Sequence, residues 1–199
     1  MIAEVRRVVR GQRSRSAELT WILELNKRYP TDAGLISPMI LNLLELRPGE
    51  AIALGAGELH AYLRGTGIEL MANSDNVLRG GLTSKHMDVP ELLEVVRFDR
   101  SDVSVLSPPE DDRGRRVYPT DFDELELCSL DLAAGRPFVQ DQRDSVEIWI
   151  VIEGRAAVEC GAGEKRTTEV RRGDSFLVPA KAPACTLKGR ARLYSASVP

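Results

Sequence analysis

One stretch of this chain occurs twice, and the recurrence limits the fold more than any other feature. Residues 47–65, RPGEAIALGAGELHAYLRG, align without a gap on residues 171–189, RRGDSFLVPAKAPACTLKG, 124 positions later. Gly49 falls on Gly173, Glu50 on Asp174, Ala56 on Ala180, Leu63 on Leu187 and Gly65 on Gly189. In each copy a glycine and an acidic residue mark a turn, and a short apolar run follows before polar and glycine residues return. Two copies of such a unit imply two β modules.

The rest of the chain divides around them. Ser16–Tyr29 reads as a helix, since Ala17, Trp21, Leu25 and the pair Ile22 and Leu23 recur at three-to-four spacing until Pro30 stops them. Asp32 then caps a second apolar series, Ile36, Met39, Ile40, Leu43 and Leu44, with Pro38 near its start; Leu41–Leu46 fits either the end of that helix or a first strand. After Pro48-Gly49 come short apolar runs cut by glycine, Ala51–Leu54, His60–Leu63 and Gly67–Met71, which is strand patterning. Pro90–Phe98 returns to helical spacing, and Asp99–Arg116 is polar, with Pro108-Pro109 and mixed charges, as in a linker. Strand-like runs follow at Leu125–Leu132, Val146–Ile152, Ala156–Cys160, Ser175–Val178 and Arg192–Ser197. The expected organisation is a helical segment over residues 1–46, a first β module with a following helix over 47–98, a linker over 99–117 and a second β module over 118–199.

Composition narrows the function. Hydrophobic residues make up 43% of the 199, enough for a packed core, and the formal charge of −3 mixes both signs. No broad basic surface points to nucleic acid or an anionic membrane, so a small molecule is the expected partner. Met1–Ser16 carries five arginines with no apolar run behind them, unlike a secretory signal, and no stretch reaches the ~20 apolar residues of a membrane span. Cys128, Cys160 and Cys185 are odd in number and lack CxxC spacing, which predicts reduced, buried thiols and a cytoplasmic location.

The repeated pattern of Gly and an acidic residue, three or four apolar residues, Pro or Gly, Ala and then a polar position resembles the second conserved motif of cupins, the small antiparallel β-barrels. The resemblance implies a mainly β fold of two cupin-type (double-stranded β-helix, jelly-roll) modules behind an N-terminal helical segment. In metal-binding cupins a histidine of this motif is a ligand. His60 stands there in the first copy and Ala184 in the second, and Asp144–Gly154 (DSVEIWIVIEG), the first-motif region of the second module, has no histidine either. The C-terminal module is thus expected to be metal-free.

A longer resemblance covers Pro48–Phe98. The order His60-Ala61-Tyr62, Ile68-Glu69, Ser74-Asp75-Asn76-Val77-Leu78-Arg79 and Leu82-Thr83-Ser84-Lys85, within GAGELHAYLRGTGIELMANSDNVLRGGLTSKHMDVPEL, is similar to type I mannose-6-phosphate isomerases. Tyr118–Leu132 and Gly173–Val198 resemble the C-terminal domain of the same family. The resemblance implies zinc-dependent interconversion of mannose 6-phosphate and fructose 6-phosphate, with His60 a zinc ligand, Arg79 the catalytic arginine, and Tyr62, Glu69 and Lys85 lining the hexose 6-phosphate pocket. An enediol intermediate needs a Lewis acid or fixed positive charge beside its oxygens, which such residues supply.

Read without the family, each residue has a duller account. His60 fits a hydrogen-bonded histidine, Arg79 and Lys85 fit solvated charges, and Glu69 fits the outer face of a strand. His86 has no motif behind it. The family takes its other zinc ligands, a Gln-x-His pair and a glutamate, from a segment preceding the helical insert, and only His60 and His86 are histidines here. A catalytic zinc commonly needs three protein ligands, so the zinc site and the first barrel are expected to be incomplete in this chain. Three explanations stand open: a truncation, one half of a split enzyme completed by a separate N-terminal chain or by self-association through open sheet edges, or a non-catalytic remnant that binds sugar phosphate. A cupin oxygenase would need further histidines near His60.

Overall fold

The structure is a computed structural model and describes residues 16–74, 76–99, 102–161 and 166–199. The Arg-rich opening stretch and Asp75 of the Ser74–Arg79 motif lie outside the described residues. Two compact units are formed. One comprises the described parts of Met1–Leu46, Leu54–Gly65 and Asp75–Ser104, and the other those of Arg47–Ala53, Thr66–Ser74 and Val105–Pro199.

The first unit is helical and irregular. Helix α1, Ala17–Arg28, begins at Ser16, whose hydroxyl accepts the Leu19 N–H, and carries Glu18 in its first turn and Lys27 and Arg28 in its last, each sign placed where the helix dipole favours it. Its inward residue is Ile22, 1% exposed. Asp32 caps a 3-10 turn, Ala33–Ile36, that runs into the short helix α2, Ser37–Ile40, with Pro38 at a helix start where its missing N–H costs nothing. The second helix therefore stops at Ile40, well short of Leu46. Helix α3, Val89–Val95, is capped by the Asp88 carboxylate, which accepts the Glu91 N–H.

The second unit is a seven-stranded antiparallel sheet folded on itself. Its strands are β1 (Arg115–Tyr118), β2 (Glu126–Leu132), β3 (Phe138–Gln140), β4 (Glu147–Cys160), β5 (Arg166–Arg171), β6 (Ser175–Val178) and β7 (Cys185–Ser197). The order is β1-β2-β7-β4-β5, with β3 on β7 and β6 on β4. Two long strands, β4 and β7, carry the architecture by pairing with each other along nearly their whole length. The expected pair Val146–Ile152 and Ala156–Cys160 is one strand, interrupted only by a register shift between Val151 and Glu153.

Alternation builds the core. In β4 the residues Glu147, Trp149 and Val151 are buried while Ile148 and Ile150 are exposed, the period of a strand with one inward face. Register partners continue that face through Ser195 and Leu193 on β7 to Cys128 and Leu130 on β2, and through Phe176 on β6. Trp149 is 1% exposed, stacks on Phe176 at 6.2 Å and meets the edge of Phe138 at 6.1 Å. Each such burial is worth about 1.5–3 kcal/mol, with a further increment for the aromatic pairs.

The internal repeat is visible as two copies of one turn. Asp174 N–H donates to the Arg171 carbonyl at 2.9 Å, and the Asp174 carboxylate accepts the Arg171 N–H at 2.9 Å. Glu50 and Arg47 make the same two bonds at 3.0 and 2.7 Å. Gly49 and Gly173 have φ of +89° and +92°, a left-handed conformation that only glycine adopts without strain. Beyond the turn the copies part. The second enters β6 and pairs with β4, whereas Ala51 finds a single bridge to Leu106. The strands expected at Ala51–Leu54, His60–Leu63 and Gly67–Met71 do not form, because no neighbouring strand among the described residues satisfies their N–H and C=O groups.

The cysteines also differ from expectation. Cys160 and Cys185 form a disulfide, and Cys128 alone is free and buried. The two are 25 residues apart in sequence but directly opposed across β4 and β7, with Cα atoms 4.3 Å apart. The prediction of three reduced thiols fails because spacing along the chain says nothing of strand register, and with it goes the thiol argument for a compartment. No described helix is long and apolar enough to cross a membrane.

Candidate functional site

The residues singled out by sequence sit mainly in the first unit, on segments held together by glycine contacts. The Gly57 carbonyl accepts the Arg97 N–H at 2.9 Å, and a Cβ at Gly57 would lie 2.6 Å from the Val95 carbonyl oxygen. The turn before His60 is therefore locked against the end of α3, and only glycine fits there. A Cβ at Gly80 would lie 2.8 Å from the Leu59 side chain, so the backbone beside Arg79 runs against the residue beside His60. Two neighbouring segments thus carry His60 and Arg79.

His60 is exposed, with Nδ1 3.0 Å from the Glu58 carbonyl oxygen. A carbonyl only accepts, so Nδ1 carries a hydrogen, and in the neutral ring Nε2 then presents the lone pair, a tautomer suited to binding a metal through Nε2. The Tyr62 ring packs edge-on to the imidazole at 6.1 Å and is largely exposed. Arg64 lies over the Trp21 ring at 5.1 Å, tying this segment to α1. Arg79 is half-buried and Lys85 exposed; among the described residues no hydrogen bond or ion pair engages either side chain. The Lys85 N–H donates to the Thr83 hydroxyl at 3.1 Å. Glu69 is exposed on Thr66–Ser74, which belongs to the second unit. His86 is exposed and in no described contact with the others.

The Asp32 carboxylate was legible only as a helix cap, yet it does more. Oδ1 accepts the Gly34 N–H at 2.7 Å and Oδ2 accepts the Leu82 N–H at 2.8 Å, across 50 residues of sequence. The sequence signal was present in Tyr29-Pro30-Thr31-Asp32, but its long-range partner is backbone and leaves no mark in residue type.

A group of three His, Cys, Asp or Glu side chains able to hold a metal ion does not occur among the described residues. His60 offers one nitrogen with the right tautomer, and the residues present do not by themselves fit a zinc ion.

The second unit collects its charges differently. At one end of the inward face Glu147, 2% exposed, accepts Arg143 Nη1 at 3.0 Å and Trp149 Nε1 at 3.2 Å. Glu126 accepts the same Arg143 nitrogen and Arg115 Nη2, both at 3.2 Å, and Arg115 also reaches the Cys128 sulfur at 3.1 Å. Burial pushes the Cys128 thiol up, outweighing the Arg115 guanidinium that opposes the shift. Burial works against the Arg115 charge, but Cys128, Glu126 and Glu147 more than restore it. An open cavity of about 300 Å³ is lined by Arg113, Arg115, Glu126, Gln140 and Arg143. With each of these arginines already facing carboxylates, the end of the barrel is a closed ion-pair lattice.

A mainly antiparallel β unit of this kind, with turn-strand repeats around two long strands, places the protein in the cupin-type class. The particular relatives are isomerases. Mannose-6-phosphate isomerase of Escherichia coli (strain K12) is 36% identical over 170 residues, 85% of this chain and 42% of that protein. Mannose-6-phosphate isomerase 2 of Arabidopsis thaliana is 39% identical over 160 residues, 80% of this chain and 35% of that protein. Among solved structures, apo mannose 6-phosphate isomerase from Salmonella typhimurium matches with a TM-score of 0.83 at 32% identity, covering 98% of this chain and 49% of that one. The same enzyme bound to its substrate and to zinc gives 0.84 at 32% identity, covering 98% and 48%. No protein-family model matches. The chain is a homologue of the mannose-6-phosphate isomerases, corresponding to their C-terminal part, and it spans less than half the length of the relatives it matches.

Proposed function

We propose that this chain supplies the Arg79- and Lys85-bearing part of an isomerase that interconverts mannose 6-phosphate and fructose 6-phosphate. The observation that supports it is His60 and Arg79 on adjoining segments of the first unit, in a chain 36–39% identical to the two isomerases above. The reaction removes a proton from C2 of the aldose, whose electron pair forms the C1–C2 double bond of the enediol as the C1 carbonyl oxygen takes up a proton, and then returns a proton to C1 as the C2 hydroxyl gives up its own to become the ketone. A guanidinium such as Arg79 stabilises the oxygens where charge develops, and an ammonium such as Lys85 suits a phosphate dianion. Tyr62 and Glu69 are proposed to contact the sugar hydroxyls.

Zinc belongs to this reading only through a completed site. His60 would contribute one ligand, with the others supplied from outside the described residues. The test is zinc content and isomerase activity of the purified chain, alone and mixed with the product of the gene immediately upstream. Activity and zinc in the mixture, both measured against an Arg79→Ala control that loses activity by about 100-fold or more, support the proposal. A folded chain that is inactive in every combination overturns it. The lone ligand nitrogen of His60, with no three-ligand group among the described residues, favours a second reading, a non-catalytic sugar-phosphate-binding protein, which predicts fructose 6-phosphate binding without turnover.

A further inference from the structure

We infer that Asp32 is a positioning residue that sets the Arg79–Lys85 segment, an inference that rests on the functional reading of those two side chains. Between them the backbone turns through Gly81 and Leu82, with φ of +141° and +51°. The left-handed region is disfavoured for leucine, and such a residue persists only where its surroundings hold it. The holding group is the Asp32 carboxylate, which takes the Leu82 N–H on one oxygen and the Gly34 N–H on the other. A charged acceptor makes these bonds stronger than a neutral one would.

The packing around the clasp is close. A Cβ at Gly34 would lie 3.0 Å from Asp32 Oδ1 and 3.1 Å from the Leu82 side chain, and one at Gly81 would lie 3.2 Å from Asp32 Oδ1. The clasp thus fixes the backbone midway between Arg79 and Lys85, three residues from each. Both side chains leave that turn without a described partner of their own, so the direction of the backbone decides where their charges point. Asp32 does not touch the proposed substrate; it acts through the turn.

The experiment follows amide hydrogen exchange by NMR and fructose 6-phosphate affinity in the whole chain carrying Asp32→Ala, Asp32→Asn or Gly34→Ala. Tyr29 and Val96, whose amides bond within their own helices, are the controls for folding. Removing the carboxylate is expected to speed exchange at Leu82 and to weaken fructose 6-phosphate binding, each about tenfold, the size of one lost charged hydrogen bond. Asp32→Asn keeps a single acceptor and is expected to fall between wild type and Asp32→Ala. Unchanged Leu82 exchange, or faster exchange with unchanged affinity, overturns the inference when the control amides hold. If Asp32→Ala disturbs the controls, Asp32→Asn and Gly34→Ala decide by the same criteria. A wild-type chain that binds no fructose 6-phosphate sinks the functional reading instead, and Leu82 exchange then decides the role of Asp32 by itself.

Discussion

The two units use charge in opposite ways. In the second unit Arg115, Glu126, Arg143 and Glu147 satisfy one another at the end of the barrel, and Glu110, Arg116, Asp131 and Arg192 form a second chain of ion pairs, with Asp131 accepting Arg192 at 2.6 Å and Arg116 at 2.7 Å. In the first unit Arg79 and Lys85 have no described ion pair, and the Asp32 carboxylate is turned to backbone N–H groups. Mutually paired charges hold strands in register and leave nothing for a ligand. Unpaired charges on a backbone fixed by other means cost little stability and remain available to an anion. The lattice in one unit is read as structural and the cations in the other as functional on that difference.

The largest test of the lattice is Glu147→Ala. It takes from Arg143 one of its two carboxylates, Glu126 remaining, and strands the Trp149 N–H in a nearly dry site, and removing one partner of a buried ion pair costs about 3–5 kcal/mol. The expected result is a fall of that size in unfolding free energy, measured by urea denaturation. A loss below about 1 kcal/mol would show that the barrel end is wetter than the burial of Glu147 implies. Somewhat smaller, at roughly 3 kcal/mol, is the effect expected on breaking the Cys160–Cys185 link, by the loop-entropy argument for a closure of this length. Comparing Cys185→Ser with wild type under oxidising and reducing conditions reads it, since reduction should move the wild type alone.

What the sequence made legible follows from the range over which each feature acts. The second unit was readable because the apolar run Ile148–Val151 and the alternation of Leu130, Asp131 and Leu132 are local strand patterns, and β6 was predicted over its whole length. The turn shared by Arg47–Glu50 and Arg171–Asp174 was found as a repeat because glycine and an acidic residue are both required by its bonds. Strands β3 and β5 escaped because Phe138–Gln140 is three residues long and Arg166–Arg171 is polar and mostly exposed, kept in place by β7 and β4. The Cys160–Cys185 pairing and the Asp32–Leu82 bond escaped for one reason: both are decided by tertiary register, which residue spacing does not encode. In the first unit, Ala51–Leu54 and His60–Leu63 carry strand-forming residues without a strand beside them, and propensity alone does not order a backbone.

The second chain of ion pairs gives an intermediate effect with a pH signature. Burial raises the Asp131 pKa, but the Arg192 and Arg116 guanidiniums outweigh it and hold the carboxyl below the ordinary aspartate range. A folded-state pKa below the unfolded value contributes stability that is present above about pH 3.9 and is lost as pH falls through the folded value. Asp131→Asn is therefore expected to lower stability by about 1–2 kcal/mol at pH 7 and to flatten the acid limb of the stability profile. Equal acid sensitivity in the variant and wild type would assign that limb to other carboxylates.

The smallest expected effect on stability, and the one on which the comparison turns, is Arg79→Ala. A half-buried arginine with no described partner contributes about 0.5 kcal/mol or less to folding, mostly through its aliphatic stem. The same change is expected to remove isomerase activity in the completed enzyme. Stability held while activity falls is the behaviour of a charge kept free for a ligand. If Arg79→Ala instead costs as much stability as Asp131→Asn, then Arg79 is part of the scaffold, the two units handle charge alike, and the first unit loses its claim to hold the site.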